Sequence, residues 1–276
     1  MTKAVQRVRI NSWVLHLLIA VLFLGCTSRE QREFNKAELA AKEKKFSEAV
    51  STYDNTILLN QDSSIAPEAA REGARIAQLE LKDFKKAAHF LKFIVLYSKI
   101  ESDRQDAQKQ VAMLYFDHLA DYKIAVEELN KTILLVKNED ERNEFKLKLA
   151  KAYYFSSNFP QSESEANSVL AHTQEPGLIF QALMLKGNIY LAQKDLPRAA
   201  LVFNNLLEKF PEKAVKENAA MSLAVAYEEM KDYKSAVSVL EKMKKYHSMP
   251  EYIDLRIKRL TLNQKNQPGA KGLRRK

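Results

Sequence analysis

The sequence predicts an all-α solenoid of about six helix-turn-helix repeats, closed by a capping helix at the carboxyl end. Three observations predict it. Ala, Leu, Lys and Glu are abundant, while only 6 Gly and 7 Pro occur in 276 residues; unbranched side chains lose little rotamer freedom in a helix. An aromatic residue or Leu, followed three places later by a small residue, recurs six times at a nearly constant interval. Six prolines (67, 160, 176, 197, 211 and 250) fall where helices are expected to begin or end, positions at which the missing N–H does little harm.

The amino terminus comes first. Lys3, Arg7 and Arg9 precede an uncharged apolar run over residues 13–25. That run is shorter than the roughly 20 residues a membrane-spanning helix needs, and a basic start before a short apolar core is the pattern of a secretory signal. The only cysteine, Cys26, follows in the stretch Leu22-Phe23-Leu24-Gly25-Cys26. This stretch resembles the lipobox of bacterial lipoproteins, although Phe23 stands where Leu is usual. The resemblance implies a signal peptide over residues 1–25, cleavage after Gly25, acylation of Cys26, and a lipidated polar tether over 26–33. Thr27, where Asp often marks inner-membrane retention, then implies the periplasmic face of the outer membrane. An uncleaved anchor helix containing a buried cysteine is the alternative.

The body over 34–262 follows. Its markers are Phe46/Ala49, Phe84/Ala87, Tyr122/Ala125, Phe159/Ser162, Leu196/Ala199 and Tyr233/Ala236, at steps of 38, 38, 37, 37 and 37. Asp83, Asp121, Asn158, Asp195 and Asp232 precede five of them and suit a helix N-cap, with Lys45 the exception. In repeats 2 and 3 the small residues Ala74 and Ala112 lie ten rather than nine places before the marker. One extra turn residue in each accounts for the two steps of 38. An amphipathic segment from Glu251 to about Leu262 is expected to close the stack, and residues 263–276 to form a basic disordered tail.

Within repeat 5, Leu183, Gly187 and Tyr190 line one face of the first helix, Ala199, Phe203 and Leu206 line the second, and Pro211 ends it. Gly187, Tyr190, Ala199, Phe203 and Pro211 stand where the tetratricopeptide-repeat (TPR) pattern wants small, aromatic, small, aromatic and Pro. The body is thus similar to a TPR array over roughly residues 34–249. A period of 37 is similar to the TPR modules of periplasmic proteins, such as the coordinator of the Tol–Pal system and the TPR lipoprotein of the β-barrel assembly machine.

That resemblance implies that first helices line a concave binding face. Carried onto the best-matching repeats, the partner-binding positions are Glu144, Leu147, Lys151 and Tyr154; Gln181, Met184, Asn188 and Leu191; and Asn218, Met221, Val225 and Glu228. Met, Tyr and amide side chains suit a groove that accepts a peptide or helix. The partners implied are proteins or peptides of the cell envelope, with the membrane reached through the lipid anchor. An inner-membrane-anchored regulator, or an accessory to a translocon, motility system or pilus, is the alternative.

Other chemistry finds little support. The formal charge of +9 is concentrated at the two ends, with Lys265, Lys271, Arg274, Arg275 and Lys276 closing the chain. The body is nearly neutral, which argues against nucleic acid. His89, His118, His172 and His247 show no metal-ligand spacing. Glycine-rich phosphate loops and nucleophile elbows are missing. No catalysis, cofactor, metal or small-molecule substrate is expected.

Overall fold

A computed structural model describes residues 28–266. The expected signal peptide, Gly25, Cys26 and the last ten residues lie outside the described residues. Fourteen α-helices follow one another among the described residues, with no strand, and none is long and apolar enough to cross a membrane. They form two compact lobes that divide between Gln110 and Val111. The first holds α1 (Arg29–Lys42), α2 (Phe46–Leu59), α3 (Ala66–Leu79), α4 (Phe84–Tyr97) and most of α5 (Glu101–Met113). The second begins with the end of α5 and a π turn (Leu114–His118), then α6 (Tyr122–Leu135), α7 (Glu139–Phe155), α8 (Phe159–His172) and α9 (Pro176–Ala192). It continues through α10 (Leu196–Lys209), α11 (Pro211–Lys216), α12 (Ala219–Glu229), α13 (Tyr233–Met243), a short 3-10 turn and α14 (Pro250–Asn266).

Every marker residue is the first residue of a second helix: Phe46, Phe84, Tyr122, Phe159, Leu196 and Tyr233 open α2, α4, α6, α8, α10 and α13. The small residue three places on is fully buried in all six repeats. Where Ser162 replaces Ala, its hydroxyl donates to the Ala150 carbonyl of the paired first helix at 2.7 Å, so the buried oxygen is satisfied. Asp83, Asp121, Asp195 and Asp232 accept from the N–H three residues on, at 2.9–3.2 Å. Such a cap stabilises a helix by about 1 kcal/mol. Asn158 and Lys45 make no side-chain cap bond.

The turns between paired helices share one device. Two residues before each marker the backbone is left-handed, at Lys44, Lys82, Ala120, Ser157, Lys194 and Lys231, with φ between 49° and 61°. In repeats 1, 4, 5 and 6, the N–H of the next residue donates to the carbonyl five places back, closing a Schellman-type end (for example Asp195 to Tyr190, 2.8 Å). In repeats 2 and 3 the donor reaches six places back, Asp83 to Ala77 and Asp121 to Tyr115. That wider loop is the extra residue behind the steps of 38. In repeat 3 it is taken up inside the helix, as the π turn over Leu114–His118.

The first lobe packs Phe34, Tyr53, Ile57, Ile76 and Phe90 around small Ala residues, with Phe34 edge-on to Tyr53 at 5.6 Å. The second lobe has three successive apolar clusters, centred on Leu129 and Leu149, on Ile189, Phe203 and Leu206, and on Leu240, Ile253 and Leu260. Within each lobe, neighbouring helix pairs therefore bury their apolar faces against one another, as stacked repeats must. All six prolines noted above lie in first turns.

Four expectations need correction. The tether expected over 26–33 is helical from Arg29, because Ser28 Oγ accepts from the Gln31 N–H at 3.2 Å and Phe34, Ala37 and Ala40 supply a buried stripe. The closing helix runs to Asn266, so residues 263–266 belong to it rather than to a tail. Pro211 ends α10 but also opens α11, a helix absent from the sequence reading. Asn218, placed by the sequence on the first helix of repeat 6, instead sits before α12 with a left-handed φ of 63°. Asn tolerates that conformation better than most residues.

Candidate functional site

The first helices of repeats 4 and 5, α7 and α9, pass side by side in the second lobe, and a groove of about 440 Å³ runs between them. α7 contributes Lys151, Tyr154 and Phe155; α9 contributes Phe180, Gln181, Met184, Leu185 and Asn188; Lys213 and Glu217 add the α11 side. Helical spacing explains the set. Residues 151 and 154, and 181, 184 and 188, recur at three or four places and so share a face. The lining mixes the polar ends of Lys151, Gln181, Asn188, Lys213 and Glu217 with the apolar surfaces of Phe155, Phe180, Met184 and Leu185, a mixture that fits recognition sites.

Lys151 Nζ donates to Gln181 Oε1 at 2.8 Å, tying the two walls together. Burial holds the Lys151 ammonium below the ordinary lysine range, and the like charge of Lys148 adds to that effect against the opposing pull of Asp117. Lys213 Nζ lies 4.5 Å from the centroid of the Phe180 ring, a cation–π contact. Phe180 is itself held edge-on by Phe210 at 5.5 Å. Phe155 is 52% exposed, yet its ring stacks on Tyr122 at 4.8 Å and 25°. Phe116 from the π turn lies behind this pair, 5.9 Å from Tyr122 and 6.4 Å from Phe155.

Of the twelve positions expected to bind partners, the groove brings together five: Lys151, Tyr154, Gln181, Met184 and Asn188. Leu147 is not available to a partner, because it is only 2% exposed and forms part of the central cluster. Leu191 packs at the margin of that cluster, Glu144 is exposed outside the groove, and Val225 is half-buried. In repeat 6 the closing helix engages two of the four. Arg256 Nη1 reaches the Met221 sulfur at 3.1 Å, and Glu228 accepts from Arg256 and Arg259 at 3.1 and 2.9 Å.

Sequence reasoning missed Phe155, Phe180, Leu185, Lys213 and Glu217. An aromatic four places before the marker, where repeat 5 has Ala192, was a usable signal for Phe155. It also missed a second groove, of about 430 Å³, in the first lobe between α3 and α5. Arg71, Arg75, Gln78, Asp103 and Asp106 line it, with Arg71 paired to Asp103 at 2.7 Å and Arg75 to Glu72 at 2.8 Å. Shifting the repeat 4 positions by the one extra residue of repeat 2 points to Arg71, Arg75 and Gln78.

Three of the four described histidines serve local structure. His89 Nε2 lies 2.9 Å from Asp54 Oδ1, His172 Nδ1 lies 2.8 Å from the Ser168 carbonyl, and His247 Nδ1 accepts from the Met249 N–H. No group of three or more His, Cys, Asp or Glu able to hold a metal is found among the described residues.

Residues 147–214, which contain the groove's α9 wall and part of α7, match a tetratricopeptide-repeat family model, and residues 219–248 match a second tetratricopeptide-repeat model. The second lobe carries tetratricopeptide repeats over these residues. Repeats of this family are generally non-catalytic and serve as scaffolds for protein–protein interaction. No curated protein matches the sequence. Among solved structures, this chain is similar to RapI in its apo form, with 17% identity over 87% of this chain and 72% of that one, at a TM-score of 0.57. It is similar to PilW, a widely conserved type IV pilus biogenesis factor, with 11% identity over 83% and 99% and a TM-score of 0.51. It is also similar to YrrB, a TPR protein with an unusual peptide-binding site, with 15% identity over 75% and 97% and a TM-score of 0.50. At these identities the likeness is one of fold.

Proposed function

We propose that this chain is a non-catalytic, lipid-anchored scaffold of the bacterial cell envelope whose second-lobe groove captures a segment of a partner protein. The observation that carries the reading is the convergence of Lys151, Tyr154, Gln181, Met184 and Asn188 on one groove between adjacent first helices. A concave, largely preformed surface with an apolar floor and a few fixed polar groups favours capture of an extended or helical segment. The envelope location rests on the run over residues 13–25 followed by Cys26, and the outer membrane on Thr27. The fold it shares with the pilus biogenesis factor PilW adds pilus assembly to the machines such a scaffold could serve, beside barrel assembly and Tol–Pal-linked wall synthesis.

Two measurements test the two halves separately. Intact mass spectrometry of membrane-extracted protein is expected to show loss of residues 1–25 and added acyl chains, and neither in Cys26→Ser. A full-length unmodified chain would remove the envelope reading. Cross-linking in cells is expected to recover a partner with the wild type and to lose it with Tyr154→Ala, Gln181→Ala and Met184→Ala combined; retention would remove the groove reading.

A further inference from the structure

The second-lobe groove holds more positive charge than its own carboxylates neutralise. Lys151 Nζ has a neutral amide oxygen, Gln181 Oε1, as its hydrogen-bond partner. Lys213 Nζ faces the Phe180 ring. Among the described residues, neither ammonium pairs with a carboxylate, and Glu217 is the one carboxylate in the lining. Lys148, on the preceding turn of α7, is offset by Asp117 at 3.9 Å. An ammonium that has lost part of its water and received only an amide in return gains from an arriving carboxylate.

The same groove offers an apolar seat. Phe155 presents half of its surface while Tyr122 and Tyr154 brace its ring, at 4.8 and 5.6 Å between centroids. A braced, exposed aromatic beside a flexible Met184 side chain gives contact area at little ordering cost, which is how interface anchors work.

We propose that the groove takes an acidic peptide segment anchored by an aromatic or large apolar side chain. The anchor packs on Phe155, Tyr154 and Met184, and flanking carboxylates pair with Lys151 and Lys213. This rests on the groove being a peptide-binding surface and adds the chemistry of the peptide.

Fluorescence anisotropy of the full chain in detergent tests it, with three labelled twelve-residue peptides. One alternates Glu and Phe, the second has Lys for Glu, and the third has Ala for Phe. The Glu/Phe peptide is expected to bind about threefold to tenfold more tightly than the other two at low salt, given the modest worth of each exposed ion pair. The advantage over the Lys peptide should shrink in about 0.5 M salt. Gln181→Glu hands Lys151 an internal carboxylate without changing volume, and Lys213→Met removes the second charge. Each is expected to weaken the Glu/Phe peptide about twofold to fivefold. Equal or tighter binding of the Lys or Ala peptide, or no effect of either variant, overturns the proposal while leaving the groove as a peptide site. Competition by a twelve-residue oligothymidine that is lost in Lys213→Met overturns it in favour of phosphate. Binding of none of the three peptides removes the groove reading itself.

Discussion

A methyl group on Gly187 would lie 2.5 Å from two ring carbons of Phe203, and one on Gly73 would lie 2.6 Å from the Phe90 ring. Both rings are fully buried and have no room to swing away. Each glycine is therefore the floor on which the aromatic of the paired helix rests. Alanine would gain up to about 1 kcal/mol in helix propensity, but overpacking a tight core costs about 1–3 kcal/mol. Gly187→Ala is expected to lower stability by about 1–2 kcal/mol, read as a lower urea midpoint at unchanged slope. Gly187 was legible because its spacing to Tyr190 and Ala199 follows the repeat. Gly73 was not: the pattern selects its neighbour Ala74, and the ring over Gly73 is Phe90, six places after its marker, where Phe203 stands seven after Leu196. The left-handed turn residues were equally hidden, as Lys, Ala and Ser stand where glycine would have announced the conformation.

The two second helices of the first lobe are also tied by polar contacts that periodicity cannot show. Asp54 on α2 accepts from Lys86 Nζ at 2.6 Å and sits 2.9 Å from His89 Nε2, both on α4. Burial pushes the Asp54 carboxyl up, but the bonds and charges of Lys86 and His89 outweigh it and hold the carboxyl below its usual range. A depressed carboxylate pKa means that the stabilisation is present above the unfolded value of about 3.9 and is lost as pH falls through the folded value. Asp54→Asn is therefore expected to be less stable than wild type at pH 7, with the gap closing below about pH 4 in parallel thermal melts. Among the helices themselves, second helices were the most legible. An aromatic or leucine at the first position, a capping Asp before it and a small residue after it mark their starts in sequence. First helices were less so. The unbroken polar and apolar mixture over 211–229 conceals the break at Asn218, and nothing in the composition of 114–118 signals a π turn. The groove was half visible for the same reason: spacing finds residues on one helix face, but Lys213 and Glu217 enter it from a short helix that the sequence does not announce.

At the scale of the molecule, a stack of repeats has two ends, and each must cover apolar surface that an inner repeat would bury against its neighbour. At the carboxyl end α14 does this. Ile253 and Leu260 are fully buried against the cluster of Ala220, Ala224, Leu240 and Met243. Arg256 and Arg259 clamp Glu228 beside them. Burying two such side chains stabilises by about 3–6 kcal/mol. Truncation before Pro250 is expected to speed amide exchange in α12 and α13 by at least about 100-fold while changing α7 and α8 far less, as nearest-neighbour coupling requires. Uniform acceleration across the second lobe would instead show that it opens as one block.

The left-handed turns give the array a set of built-in reporters. Lys44, Lys82, Lys194 and Lys231 occupy exposed tips of four of the six turns, while Ala120 and Ser157 occupy the other two. A lysine-directed protease needs an extended substrate strand, and a residue locked in a tight turn does not offer one. Cleavage after these lysines must then wait for the turn to open, so its rate tracks the opening equilibrium of that repeat. Brief trypsin digestion is expected to release fragments differing by whole repeats, and the order in which they emerge to rank the repeats by local stability. A docked partner that steadies repeats 4 and 5 would register as slower nicking at Lys194, with Lys44 as the internal clock.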